Sequence, residues 1–387
     1  MTASEQNIET GGVRTSRMLA DARRLVVKIG SVLLVEAESG EIHRQWLAAL
    51  AEDVDMCRAR GQEVILVSSG AVAVGRRHLN LPGRKLRLEE SQAAAATGQA
   101  RLAHAYQEAL GKHGITTAQI LMTLDDTEER RRHLNARETI DTLLALGVVP
   151  VINENDTVAT EEIRFGDNDR LAARVAQMVG ADTLVLLSDV DGLYTADPGT
   201  DSEAIPVAEV REITPEIEAM AGEERTGDGS GGMVTKLIAA RIALAAGCRM
   251  AIALGKPLHP LSAIDAAKST AATWFLPSAG PKTAHKSWIA ASLKPSGIIV
   301  IDDGAQAALA QDNSLLPAGV TKVEGDFKRG DAVLIHALDG HELGRGLSAY
   351  SADDARRILG HKSDEIEAIL GYRGREEMIH RDDLVLD

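Results

Sequence analysis

At 387 residues, with 44% hydrophobic but only 3% aromatic residues, the chain is long enough for two domains, and its cores must be built from Ala, Val, Leu and Ile. A formal net charge of -15 argues against a general nucleic-acid or membrane-surface binder, since either needs an extended basic face. Two isolated cysteines, Cys57 and Cys248, exclude a disulfide framework and point to the reducing cytoplasm.

No run approaches the roughly 18 apolar residues of a membrane span. Segment 1–23 lacks the apolar core of a signal peptide and reads as a disordered extension. From residue 24 onward, short apolar runs alternate with longer amphipathic segments. The apolar run RLVVKIGSVLLV (24–35) holds the first strand and is followed by a helix through RQWLAALAEDVDMCRARG. EVILVSSGAVAVG (63–75) leads into an Ala-rich helix through SQAAAATGQARLAHAYQEALGKHG. Then come ITTAQILMT, the helix LNARETIDTLLALG, the strand VVPVINEN, the helix DRLAARVAQMVG and the strand DTLVLLSDV. After a glycine-rich loop, the helix MVTKLIAARIALAAG precedes another buried strand, CRMAIALG. Repeated βα units predict an α/β domain with a mainly parallel open sheet sandwiched by helices, over 24–277. The stretch 273–297 carries three prolines and reads as a boundary, with a linker over 278–295. Beyond it, short strands punctuated by Gly and Asp predict a small, mostly β module over 296–387.

In open parallel sheets, ligands bind beyond the carboxyl ends of the strands, and these ends are polar here. The first carries Lys28, Gly30 and Ser31; the second carries Ser68, Ser69 and Gly70. The fourth runs into NEND (Asn153, Glu154, Asn155, Asp156), and the fifth ends in Ser188 and Asp189. Lys28 is either a lysine reaching out at a strand end or a buried ammonium needing an anionic partner. SSGA is either a strand-to-helix turn with a Ser cap or an anion-binding turn. In GDND (166–169), capping accounts for one carboxylate but not easily for both. GDGSGGMVTK (227–236) is not a Walker loop, because Lys236 comes four residues after Gly232 and is followed by Leu237. Nor is it a dinucleotide fingerprint, since helical TPEIEAMAGEERT precedes it rather than a strand. It is either a flexible surface loop or a glycine-rich anion site leading into a helix N-terminus. Phosphoryl transfer accounts for all of these features together, with two lysines stabilising the migrating group and an aspartate holding them. No His/Cys cluster has zinc spacing, so no protein metal site is expected.

VVKIGS, VSSGAVAVG, PVINENDTVAT, FGDNDRLAARVA, SDVDGLYTADP and GSGGMVTK together closely resemble the amino acid kinase family. Within it, NEND with GDND and GLYTADP, and a C-terminal module similar to a PUA domain, point to the members that phosphorylate the γ-carboxylate of L-glutamate at the start of proline synthesis. The resemblance implies ATP as co-substrate, with Mg2+ arriving on the nucleotide. It implies Lys28 and Lys236 on the transferring phosphoryl group and Asp169 organising them. Ser69, Gly70, Asn153, Asp156, Asp167 and Asn168 would grip glutamate. Lys28, Ser188, Asp189 and the stretch Ser230, Gly231, Gly232, Met233, Val234, Thr235, Lys236 would hold ATP. It further implies feedback inhibition by proline, a dimeric or tetrameric assembly, and a glutamyl phosphate reductase consuming the acyl phosphate. Ser188 and Arg164 depart from the family's usual Thr and Lys; the hydroxyl is kept at 188, and the role of Arg164 stays open. RNA binding through the PUA-like module is the rival reading, since related modules bind structured RNA. From Lys294 to Asp387, however, 11 Lys plus Arg stand against 18 Asp plus Glu, a balance of -7. That is a poor electrostatic footprint for RNA and favours a structural or regulatory role.

Overall fold

Helices and strands arise where the apolar period changes between 3.6 and 2. The computed structural model describes residues 18–36, 39–81, 84, 86–158, 168–222, 232–266, 272–292 and 295–386. The chain divides into two compact units, one ending at Pro281 and the other beginning at Lys282.

The first unit begins with β1 (Arg24–Ile29), α1 (Ser31–Leu34), α2 (Arg44–Ala59), β2 (Glu63–Val67), α3 (Ala71–His78) and α4 (Leu88–Gly111). β3 (Thr117–Met122), α5 (Leu124–Glu128), α6 (Arg130–Ala145), β4 (Val149–Glu154), α7 (Asn168–Met178) and β5 (Thr183–Ser188) follow. Then come the short strands β6 (Leu193–Tyr194), β7 (Pro206–Val207) and β8 (Glu209–Val210). The unit closes with α8 (Pro215–Met220), α9 (Met233–Ala245), β9 (Arg249–Leu254), α10 (Pro260–Asp265) and β10 (Ala272–Phe275). Eight strands form one sheet in the order β3, β4, β2, β1, β5, β9, β10, β8. Neighbours from β3 to β9 are parallel, and β10 runs antiparallel to β9. The sheet is buried on both faces, one covered mainly by α2 and α4 and the other by α7 and α9.

The structure departs from the sequence reading at three places. The 24–35 run holds a second element: β1 ends at Ile29, beside the Lys28, Gly30 and Ser31 expected at its end, but Ser31–Leu34 then makes a helical turn, with Leu33 N–H donating to the Gly30 carbonyl. A short all-apolar run cannot distinguish a strand from a buried turn of helix. The 1–23 extension is not free throughout, because Leu19 and Ala22 are buried in the core and Gln62 Nε2 donates to both of their carbonyls. Residues 1–17 lie outside the described set. The stretch 273–297 contains regular structure, since Ala272–Phe275 is β10 and Pro281–Ser292 is a helix. Its prolines stand outside the strand and at a helix start, where a missing N–H is tolerated.

The second unit contains all but the first residue of α11 (Pro281–Ser292), then β11 (Gly297–Ile301), α12 (Asp303–Leu309), β12 (Val320–Gly325), β13 (Ala332–His336), β14 (Glu342–Leu347), α13 (Ala352–Ile358), α14 (Ile366–Leu370) and β15 (Leu384–Leu386). Its sheet order is β12, β11, β13, β14, β15, with β11 and β13 parallel. Ile299, Val333, Ile335, Phe327 and Met378 form its own core. Among the described residues, no helix is long and apolar enough to cross a membrane.

Candidate active site

Strand alternation explains how the site assembles. Leu25, Val27 and Ile29 of β1 face the layer containing α2 and α4, while Val26 packs among residues of α7 and α9. Lys28 lies two positions after Val26, so its side chain enters the α7 and α9 layer. On α7, Asp169, Ala172, Ala173 and Ala176 share the buried face; on α9, Lys236, Ala240 and Ala243 do the same. Three charged groups thus meet under the sheet's carboxyl end.

Lys28 Nζ lies 2.6 Å from Asp169 Oδ1, and Lys236 Nζ lies 3.1 Å from Asp169 Oδ2. The three residues are only 8%, 1% and 5% exposed in the order Lys28, Asp169, Lys236, so the ion pairs are screened little by water. Burial pushes the Asp169 carboxyl up, but the two ammonium groups outweigh it and hold the carboxyl below its ordinary value. One carboxylate between two lysines leaves the trio with a surplus positive charge, suited to a migrating anionic group.

A second polar cluster adjoins the first because Asn168 precedes Asp169. Asn168 Nδ2 donates to the Ser68 carbonyl at 2.6 Å, to Ser69 Oγ at 3.0 Å and to Asn153 Oδ1 at 2.9 Å. Its own Oδ1 is buried and, among the described residues, has no partner. Gly70 caps α3 at φ 95, a left-handed conformation that suits glycine, and so lets the chain turn directly after Ser69. Asp156 begins a short 3-10 turn beyond β4, and burial pushes its carboxyl up to about 6.

The nucleotide candidates stand on the other side of β1. Ser188 ends β5, with Oγ donating to Asp189 Oδ1 at 3.1 Å, and Asp189 is exposed. Gly232 is the N-cap of α9; Met233, Val234 and Thr235 form its first turn, where backbone N–H groups lack helical partners. Thr235 Oγ1 donates to the Gly232 carbonyl at 2.8 Å and approaches Asp169 Oδ2 at 3.4 Å. Asp167, Arg164, Ser230 and Gly231 lie outside the described residues. The adjoining strand β9 continues this edge, since Gly255 N–H donates to the Ser188 carbonyl and its own carbonyl accepts from Trp46 Nε1. Among the described residues, no group of three or more His, Cys, Asp or Glu is arranged to hold a metal ion.

Sequence reasoning missed two supports from α4. Gln99 Oε1 accepts from Asn153 Nδ2 at 2.6 Å, and the Tyr106 hydroxyl, fully buried, donates to Ser68 Oγ at 3.2 Å. Their seven-residue spacing places both on one face of α4, a signal visible only once that face is known to meet the site.

The model of the amino acid kinase family matches residues 23–253, and that of the PUA domain matches residues 297–370. The chain belongs to the amino acid kinase family. Its members are phosphotransferases, and so is this chain. A curated glutamate 5-kinase of Paramagnetospirillum magneticum is 66% identical over 369 residues, which is 95% of this chain and 99% of that protein. Those of Rhodospirillum rubrum and a Ruegeria species are 60% and 58% identical over 362 and 368 residues. They cover 94% and 95% of this chain, and 96% and 99% of their own lengths. The α/β architecture and the appended β-rich unit are those this family and the PUA domain carry.

Proposed function

We propose that the protein transfers the γ-phosphoryl group of ATP to the γ-carboxylate of L-glutamate, forming L-glutamyl 5-phosphate, the activated acid with which proline synthesis begins. The observation that carries this reading is one buried carboxylate, Asp169, bridging both Lys28 and Lys236. A γ-carboxylate oxygen forms the new bond to phosphorus while the bond to the β,γ-bridging oxygen breaks and ADP departs. The nucleophile titrates near about 4.3 and is already ionised at neutral pH, so no general base is required. What the reaction needs is positive charge where the transferred group spreads its negative charge, and a fixed line between donor and acceptor. Lys28 and Lys236 supply the charge, and Asp169 keeps both in place without moving a proton. The first turn of α9 aims unpaired N–H groups at the nucleotide phosphates. Mg2+, carried chiefly by phosphate and water oxygens, would offset further charge on the nucleotide.

Asn168, Ser69, Asn153 and Asp156 would hold the acceptor's amino-acid end. Asn168 Oδ1, a buried acceptor with no donor among the described residues, and Asp156, a carboxylate pushed up by burial with no cationic partner among the described residues, both fit an ammonium group. The names of the curated relatives support glutamate as the acceptor.

The test is direct. The purified protein is incubated with ATP, Mg2+, L-glutamate and hydroxylamine, and glutamyl hydroxamate is measured. Parallel reactions replace glutamate with acetylglutamate, aspartate, carbamate or UMP. Hydroxamate formation dependent on both ATP and glutamate is expected. ATP consumption that follows one of the other acceptors instead would overturn the assignment.

A further inference from the structure

We infer that Gln99 on α4 is a positioning residue that selects acceptors bearing an α-ammonium group, an inference that rests on the reading of this site as the glutamate site. Two groups that cannot change roles lock the polarity of the amide cluster. The Glu154 backbone N–H can only donate, and it donates to Asn153 Oδ1 at 2.9 Å. The Ser68 backbone carbonyl can only accept, and it accepts from Asn168 Nδ2 at 2.6 Å. Asn153 must therefore present Nδ2 on its other side, where Gln99 Oε1 receives it at 2.6 Å. With Asn153 Oδ1 turned inward, Asn168 Nδ2 is engaged on all sides, and Asn168 Oδ1 is left facing away from every protein donor among the described residues.

Asn168 is 4% exposed and Asn153 1% exposed, so neither amide can turn over and find a water partner instead. The two backbone groups set which end of each amide faces inward, and Gln99, the side chain that receives Asn153 Nδ2, holds the Asn153 amide in that place. The result is one buried acceptor held ready for a donor. A site built around such a group discriminates strongly against ligands that cannot supply the matching hydrogen bond. Glutarate is the comparison ligand, because it keeps both carboxylates of glutamate and lacks only the α-amino group.

The experiment measures dissociation constants of L-glutamate and glutarate by calorimetry on the full-length protein, together with KM for ATP. The wild type is expected to prefer glutamate. Gln99→Leu removes the acceptor opposite Asn153, and the preference is expected to shrink about tenfold, through weaker glutamate binding, with glutarate binding and KM for ATP within about twofold of wild type. Gln99→Glu retains an acceptor opposite Asn153 and is expected to keep the preference at or above the wild-type value. An unchanged ratio in Gln99→Leu, equal weakening of both ligands, or loss of the preference in Gln99→Glu overturns the inference alone. Absence of any preference in the wild type overturns the underlying reading of the site as well.

Discussion

Replacing Lys236 with Met should separate stability from catalysis, because the buried trio carries one more positive charge than negative. At an effective dielectric of about 20, the attraction lost between Lys236 and Asp169, 3.1 Å apart, is about 5 kcal/mol. The repulsion between the two like charges that share the carboxylate is relieved at the same time, which offsets part of that loss. Removing a buried ammonium also restores several kcal/mol of desolvation. The sum leaves a neutral Lys28–Asp169 pair, so thermal unfolding should occur at or above the wild-type temperature. The rate should fall about 10²- to 10³-fold, the effect of losing one preorganised group that stabilises transition-state charge. Asp169→Asn makes the opposite change in charge, removing the carboxylate that the two buried cations share. It should reduce stability by about 3–5 kcal/mol and activity together. Hydroxamate formation at saturating ATP and glutamate reports kcat, and thermal and urea unfolding report stability. A Lys236→Met protein with kcat within about threefold of wild type, or with the instability of Asp169→Asn, would refute the reasoning.

Asp156 is raised by burial to about 6, above the value near 4 of a free aspartate, so it favours the folded state while protonated and weakens it as pH rises from about 4 through 6. An ammonium ligand binds the ionised form, so kcat/KM for glutamate should rise with pH through about 6, and Asp156→Asn should flatten that profile. Gly98 of α4 touches α3 so closely that an added Cβ would stand 1.8 Å from the Ala71 carbonyl oxygen. Gly98→Ala should therefore destabilise the protein by about 1–3 kcal/mol or more. Because Ala71 follows Gly70 and Gly98 precedes Gln99, KM for glutamate should rise further than KM for ATP. Burial raises the thiols of both Cys57, to about 12, and Cys248. Neither should react with a disulfide reagent such as DTNB until the protein is unfolded, and prompt labelling of the native protein would contradict their placement.

Much of this protein is legible in one dimension. Alternating strand and helix periods imply a parallel α/β sheet, and polar residues at successive strand ends mark the functional edge. Lys28 stands out because it interrupts an apolar strand, and Lys236 because it lies in the first turn of a helix after a glycine loop. These are local signals, carried by residues within a few positions of one another. Motif resemblance, rather than spacing, singled out Asp169 over Asp167 as the bridge.

The tertiary structure alone decided which of these signals converge. The sheet order brings β1 between β2 and β5, so Lys28 lies beside the strand ends carrying Ser68 and Ser188. That order depends on pairings between distant segments, which no short pattern encodes. Gln99 and Tyr106 sit in an Ala-rich helix like many exposed polar residues, and nothing local sets them apart. Their roles follow from a close α3 and α4 contact at Gly75 and Gly98 that brings one face of α4 onto the amide cluster. Leu19 and Ala22 likewise join the core through contacts with remote segments, and their carbonyls accept from Gln62 Nε2. Sequence determined which side chains could do chemistry; packing of remote elements determined which of them meet, because side-chain direction and strand neighbourhood are properties of the assembled layers.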